Sequence, residues 1–173
     1  IEGHLRISRR DTQELVRVVR GLDHLSGWRR VALLPLEVGD DLTPEEMGAA
    51  AMLNYDPNFQ KLAKQGDILV GGYNFGSGSS REQAATALKY RGLIMIIAGS
   101  YSQTYKRNAF NNGYIVIECP DLVDELKTAS ASDDAPTIRT ARRVRVDFTQ
   151  ACIESDGKTY PFAPLGEVAQ ELI

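Results

Sequence analysis

Short, continuous apolar runs alternate along the chain with segments whose apolar residues recur at helical spacing. The continuous runs cover residues 67–72, 93–99 and 114–119, and each is typical of a strand buried on both faces. Helical segments at 81–90 and 103–110 separate them and end near Gly92 and Gly113. This alternation predicts βαβ units built on a parallel sheet, with right-handed crossovers.

Three further helices are predicted around these runs. Thr43-Pro-Glu-Glu is a capping box with proline at the first helical position, and it opens a helix that reaches Met52. A second helix covers about 57–64 before Gly66, and a third covers 120–128.

The pattern changes to period two after a polar break at 130–136. Val144, Val146 and Phe148 alternate with charged residues, and Ser155-Asp-Gly-Lys is a turn sequence, which together indicate a hairpin or small antiparallel layer. A closing helix is predicted at 165–173. We therefore expect an α/β fold, a parallel-leaning sheet flanked by helices with an added antiparallel hairpin.

The first 40 residues are rich in arginine and differ from the rest. A helix is predicted from the spacing of Leu15, Val18, Val19, Leu22 and Leu25, and a strand is predicted at 31–38. Acidic residues interrupt the arginines, which favours a solvated helix face over a nucleic-acid-binding arm.

Composition narrows the kinds of function. A chain of 173 residues with 43% hydrophobic residues can bury one sizeable core. Its net charge of −3 gives no general attraction to nucleic acid or an anionic membrane, so we expect neither as a partner. The two cysteines, Cys119 and Cys152, are too few and too far apart for a disulfide framework or a Cys-x-x-Cys metal site, and no metal ligands are predicted.

The main candidate for chemistry is the loop Gly72–Arg81, Gly-Tyr-Asn-Phe-Gly-Ser-Gly-Ser-Ser-Arg. It follows a buried strand and directly precedes a helix, a place where glycines admit a ligand and free N–H groups attract an anion. Ser77, Ser79 and Ser80 add hydroxyl donors, Gly78 adds an open backbone N–H, and Arg81 adds a forked cation. The sequence therefore predicts a site for a carboxylate or a phosphate.

The loop does not match three other glycine-containing motifs. No Gly-Lys-Ser/Thr ends it, and its glycines do not match a dinucleotide fingerprint or a Gly-x-Ser-x-Gly elbow. A purely structural alternative is that the serines only cap the helix. Lys106 and Arg107, on a later helix, either contact a distal substrate carboxylate or form an exposed basic face.

Two stretches carry a family resemblance. Residues 66–88, which include Gly-Ser-Ser-Arg-Glu, and residues 97–113, which include Gln-Thr-Tyr-Lys-Arg-Asn-Ala-Phe-Asn-Asn-Gly, closely resemble the swivelling β/β/α C-terminal domain of the aconitase superfamily. Within the superfamily the likeness is greatest to the homoaconitases and covers residues 41–173. Residues 1–40 lack the strand end and loop expected there, so they are interpreted as a divergent or vector-derived segment.

The resemblance implies a reaction and roles. It makes Ser79 the catalytic base and Ser80 with Arg81 the substrate-carboxylate ligands in a hydro-lyase of lysine biosynthesis, interconverting homoisocitrate and cis-homoaconitate. It implies a 4Fe-4S cluster held by larger partner domains, which acts as the Lewis acid, with none bound by this chain. It also implies a mitochondrial matrix location and no turnover by the isolated domain.

Two alternatives remain open. One is the small subunit of 3-isopropylmalate dehydratase, which shares the fold and the loop. The other is a non-enzymatic, aconitase-derived module that binds RNA or a small anion.

Overall fold

The computed structural model describes residues 12–19, 42–78, 82–131 and 134–166. In chain order these ranges contain the following strands and helices: β1 (Thr12–Val19), α1 (Pro44–Ala50), α2 (Phe59–Leu62), β2 (Ile68–Gly71), α3 (Gln83–Tyr90), β3 (Met95–Ala98), α4 (Gln103–Asn111), β4 (Ile115–Glu118), α5 (Pro120–Ala129), β5 (Thr137–Asp147), β6 (Cys152–Ser155) and β7 (Lys158–Pro161).

The strands form one mixed sheet in the order β4-β3-β2-β1-β5-β6-β7. β1 to β4 are mutually parallel, with Ile68 paired to Met95 and Met95 to Ile115. β5, β6 and β7 continue the sheet as an antiparallel layer. This confirms the predicted α/β class, with parallel strands on one side and an antiparallel addition on the other.

The helix predicted from Leu15 to Leu25 is wrong where the structure tests it, because residues 12–19 form strand β1. β1 pairs in parallel with β2 and antiparallel with β5. Three of its eight residues are valines, which suit a strand, and backbone partners on both sides outweigh an ambiguous apolar spacing. The predicted strand at 31–38 and residues 167–173 of the predicted closing helix lie outside the described residues, and residues 165–166 are not helical. The boundary at residue 40 stays a prediction.

Each face of the sheet is covered by a separate hydrophobic core. Side chains of successive strand residues point to opposite faces, so Leu69 and Ile96 join one core while Ile68 and Ile97 join the other. The first core includes residues of α1, α3 and α4, and the second includes residues of α5 and the antiparallel strands. Burial on both faces is the reason that the parallel strands are continuous apolar runs.

The predicted start of α1 agrees with the structure. Thr43 and Glu46 form the predicted capping box, with Glu46 N–H donating to Thr43 Oγ1 at 3.2 Å and Thr43 N–H donating to Glu46 Oε2 at 2.9 Å. α2 is a single turn, shorter than predicted.

Among the helices within the described ranges, none is long and apolar enough to span a bilayer.

Parallel pairing brings three strand ends to one edge of the sheet. Gly71 of β2 pairs with Ala98 of β3, and Ala98 pairs with Glu118 of β4. The segments that follow these strands therefore lie side by side. Ligands bind at this edge in open α/β sheets, and the glycine-rich loop begins here.

Candidate anion-binding site

The first half of the glycine-rich loop is fixed to the segment after β3 by backbone hydrogen bonds. Gly99 N–H donates to Gly72 O at 3.1 Å, Phe75 N–H to Ser100 O at 2.9 Å, and Ser102 N–H to Phe75 O at 2.9 Å. Phe75 and Tyr101 form an isolated parallel bridge. The loop is thus held in place by backbone pairing before it reaches the predicted catalytic residues.

An aromatic floor, formed by Phe75, Tyr101 and Tyr105, lies beneath the loop. The Phe75 ring makes edge contacts with both tyrosines, at centroid distances of 5.9 and 5.3 Å, and the tyrosine rings stack at 6.1 Å. Gly76 lies directly against Tyr105 with a φ of +78°, and a Cβ there would be 2.3 Å from Tyr105 Cγ. Glycine is required here both by the backbone conformation and by the ring.

The hydroxyl groups of the buried tyrosines do not supply acid-base chemistry. Burial raises the pKa of Tyr101, Tyr105 and Tyr114 well above that of a free tyrosine. Tyr101 Oη donates to Ile96 O at 2.8 Å, whereas the Tyr105 and Tyr114 hydroxyls have no hydrogen-bond partner in the described structure. The tyrosines of the aromatic floor therefore stay uncharged, and they support the loop by packing against it.

Tyr73 anchors the beginning of the loop to α5. Its hydroxyl donates to Asp124 Oδ2 at 2.9 Å, and Lys127 Nζ lies 4.7 Å from the ring centroid. A Cβ at Gly99 would be 2.9 Å from the Tyr73 ring, so Gly99 allows the ring to approach the backbone. Sequence reasoning missed Asp124, because the two partners are 51 positions apart in the chain.

Ser77 and Gly78 are the two predicted site residues of the loop that the structure describes. Ser77 is exposed, and its N–H donates to Asn74 O at 3.2 Å; Gly78 is half-buried. Ser79, Ser80 and Arg81 lie outside the described residues, so their predicted roles stay predictions. The chain is described again from Glu82, which directly precedes α3 and makes no side-chain capping hydrogen bond.

The serines after β3 have structural partners. Ser100 Oγ accepts from Asn74 N–H at 2.8 Å and supports the positive φ of Asn74. Ser102 Oγ accepts from Tyr105 N–H at 3.2 Å and caps α4. Both hydroxyls hold backbone groups next to the loop.

Lys106 and Arg107 are exposed residues of α4. Lys106 Nζ lies 3.1 Å from Glu118 Oε1, at the carboxyl end of β4, and both side chains are open to solvent. An exposed ion pair of this kind is weak. Lys106 is thus near the sheet edge that carries the loop.

The described residues include no cluster of three or more side chains suited to a metal ion. Cys119 and Cys152 are both buried, and burial raises the pKa of each thiol, which opposes the thiolate form that ligates iron. Cys119 Sγ lies 3.8 Å from Pro161 O. The two thiols do not fit as ligands of an iron-sulfur cluster.

Fold and loop together define a small α/β domain with a glycine-rich loop, the candidate anion-binding site, at the carboxyl edge of a mixed sheet. Residues 40–122 match the sequence profile of the aconitase C-terminal domain. A solved structure of 3-isopropylmalate dehydratase from Methanocaldococcus jannaschii aligns with a TM-score of 0.65 and 32% identity, covering 82% of this chain and 78% of that one. The chain belongs to the aconitase C-terminal domain family.

Curated relatives include mitochondrial homoaconitases of several fungi. The homoaconitase of Candida albicans is 40% identical over 136 residues, covering 77% of this chain and 20% of that protein. That of Eremothecium gossypii is 50% identical over 103 residues, covering 60% of this chain and 15% of that protein. The chain thus spans about a fifth or less of the length of these relatives.

Proposed function

We propose that the chain is the catalytic-serine and carboxylate-binding domain of a homoaconitase, which interconverts homoisocitrate and cis-homoaconitate in lysine biosynthesis by the aminoadipate route. One observation carries the proposal. The two stretches that resemble the family, 66–88 and 97–113, are separate in the chain but hydrogen-bond with each other at the carboxyl edge of the sheet. The identities to fungal homoaconitases support the choice of substrate.

The proposed roles follow the order of residues in the loop. Ser79 takes the proton from the substrate carbon, while Ser80 and Arg81 bind a substrate carboxylate. The Ser77 hydroxyl and the Gly78 N–H add donors to the same anion. A serine can act as a base where a cation and N–H dipoles lower its pKa, and Arg81 is the cation proposed for this role.

Lys106 and Arg107 are proposed to bind the distal carboxylate of the substrate. Lys106 would exchange Glu118 for that carboxylate, and the exposure of this ion pair makes such an exchange easy. The alternative role, an exposed basic face, predicts no effect of either residue on substrate binding.

The iron-sulfur cluster of the family is assigned to the larger domains of the complete protein. The described cysteines do not fit as its ligands, and the chain corresponds to a small part of each curated relative. We therefore propose that the domain works only with its cluster-bearing partner domains and has no turnover alone. The relatives are named mitochondrial, which supports a mitochondrial matrix location.

The small subunit of 3-isopropylmalate dehydratase is the second candidate. The solved structure of 3-isopropylmalate dehydratase favours it, because the match covers 78% of that chain. Both candidates use the same loop, so only the substrate separates them.

The test is a direct comparison of substrates. The complete protein that carries this chain, with its cluster reconstituted, is assayed for hydration of cis-homoaconitate and of isopropylmaleate. The proposal expects a higher kcat/KM for cis-homoaconitate and no turnover by residues 1–173 alone. Preference for isopropylmaleate would establish the second candidate, and turnover by the isolated chain would contradict the division of the active site.

A further inference from the structure

Glu118 is an acidic residue at the edge of the sheet that is proposed to bind an anion. It is the last residue of β4 and pairs with Ala98, which in turn pairs with Gly71 at the start of the glycine-rich loop. Neighbouring strands are about 4.8 Å apart, so Glu118 is about 10 Å from Gly71 across the sheet. A negative charge is therefore present close to the proposed site of an anionic substrate.

Glu118 lies on the same face of the sheet as the aromatic floor of the loop. Strand residues two positions apart share a face, and Val116 joins the core that contains Tyr105. Helix α4 covers this face, and its residue Lys106 directly follows Tyr105, whose ring packs against Gly76. The ion pair of Lys106 with Glu118 is therefore next to the loop.

The ion pair affects how strongly Lys106 attracts a ligand. Lys106 Nζ lies 3.1 Å from Glu118 Oε1, so its positive charge is partly neutralised before a substrate binds. A distal carboxylate must replace Glu118 to gain the full attraction of Lys106. An uncharged group at the same position of a ligand makes no such exchange.

We propose that Glu118 is a built-in competitor for Lys106. It weakens the binding of ligands that carry a distal carboxylate and does not affect ligands with an uncharged group there. The inference rests on the proposed function, because that function assigns the distal carboxylate to Lys106. Since homoisocitrate and cis-homoaconitate both carry this carboxylate, Glu118 limits how tightly substrate and product are held.

The exposure of the pair allows this exchange of partners. The side chains of Lys106 and Glu118 are 46% and 37% exposed, so neither leaves a buried charge behind when it changes partner. The pair of Asp67 and Arg139 differs, because the Asp67 side chain is only 2% exposed. Exposed pairs are weak, so we expect Glu118 to change the Kd of a ligand about two- to fivefold.

The test measures ligand binding without turnover in the complete, cluster-loaded protein. The first ligand is the deoxy analogue of homoisocitrate, a tricarboxylate that keeps the distal carboxylate but has no hydroxyl group to lose. The second is isopropylsuccinate, the deoxy analogue of isopropylmalate, in which an isopropyl group replaces the distal carboxylate. Titration calorimetry gives the Kd of each.

Glu118→Gln is expected to lower the Kd of the tricarboxylate about two- to fivefold and to leave that of isopropylsuccinate within about 1.5-fold. Lys106→Met is expected to raise the Kd of the tricarboxylate. Adding Glu118→Gln to Lys106→Met should then change this Kd by less than about 1.5-fold, because the two residues act as a pair. Glu154→Gln is the matched control, since it removes the same charge from β6, and both Kd values should stay within about 1.5-fold.

Three results would overturn the inference: an unchanged or higher Kd of the tricarboxylate in Glu118→Gln, an equal gain for isopropylsuccinate, or an equal gain in the Lys106→Met background. The last two would show only a loss of general repulsion. If Lys106→Met raises the Kd as expected, all three leave the proposed role of Lys106 intact. An unchanged Kd in Lys106→Met would instead overturn that role, and this inference with it.

Discussion

Each half of the sheet packs on a hydrophobic core, and the two halves differ in the further contacts that fix the loop and the hairpin. On the parallel side, the loop is fixed by backbone hydrogen bonds, by close contact of Gly76 with Tyr105, and by stacked rings. On the antiparallel side, Glu125 of α5 accepts from Lys158 and Tyr160 of β7 and from Arg142 of β5, at 2.8, 2.6 and 3.2 Å. The loop therefore depends most on close packing and backbone hydrogen bonds, whereas the contacts of Glu125 add polar side-chain interactions to the hairpin.

The largest effect is expected at Gly76, where the backbone packs directly against the Tyr105 ring. Gly76→Ala forces a Cβ into the Tyr105 ring and strains a positive φ, so the free energy of unfolding should fall by about 2–4 kcal/mol. Urea unfolding of the chain measures this value. In the complete protein, turnover should fall as well, because the loop carries the proposed catalytic residues.

Gly157→Ala is the matched control on the antiparallel side. Gly157 has the same φ of +78°, but a Cβ there would meet no atom of the described residues within 4 Å. Only the backbone strain remains, about 1 kcal/mol. Equal losses in the two variants would show that close contact with Tyr105 is unimportant.

The next largest effect on the free energy of unfolding is expected for the two tyrosines of the aromatic floor. Tyr101→Phe removes a hydroxyl that donates to Ile96 O at 2.8 Å, and it should destabilise the chain by about 1–2 kcal/mol. Tyr105→Phe removes a buried hydroxyl that has no hydrogen-bond partner among the described residues, and it should be neutral or stabilise the chain by up to about 1 kcal/mol. Thermal unfolding of the two variants checks the order, and the reverse order would contradict the hydrogen-bond assignment.

The hairpin side should respond to pH. The hydrogen bonds from Lys158 and Tyr160 lower the pKa of Glu125 to about 2, below its value in the unfolded chain, about 4.3. The stabilisation is therefore fully present above that unfolded value and is lost as the pH falls toward 2. Urea midpoints between pH 6 and pH 2 should decline less steeply in Glu125→Gln than in the unsubstituted chain. If the urea midpoints of both proteins declined equally, groups other than Glu125 would be responsible for the acid sensitivity.

The smallest effect is expected for the exposed pair of Arg145 and Glu154, whose charged atoms are 3.6 Å apart. Glu154→Gln should change the free energy of unfolding by less than about 0.5 kcal/mol. A larger loss would mean that isolated surface charges, as well as the Glu125 cluster, support the hairpin.

The same comparison explains how much the sequence could predict. The parallel strands were predicted because burial on both faces leaves continuous apolar runs, and the loop was predicted because its glycines and serines lie between a strand and a helix. The Thr43 capping box was also predicted and is present. These signals are local, so a single stretch of sequence contains them.

The features that could not be predicted depend on distant partners. β1 was mistaken for a helix because its valines fit both spacings, and its partner β5 begins only at Thr137. The contact of Tyr73 with Asp124 and that of Asn112 with Glu82 also join residues far apart in the chain. The predicted roles of Ser79, Ser80 and Arg81 stay predictions, since these residues lie outside the described structure.

The most direct test of the account is the turnover of Ser79→Ala in the complete, cluster-loaded protein with homoisocitrate, which carries the carbon-bound proton that Ser79 is proposed to take. If Ser79 is the base, kcat should fall at least about 100-fold, while the Kd for the substrate changes less than about tenfold, because Ser80 and Arg81 still bind the carboxylate. A variant that keeps its kcat within about twofold of the unsubstituted protein would contradict the central claim.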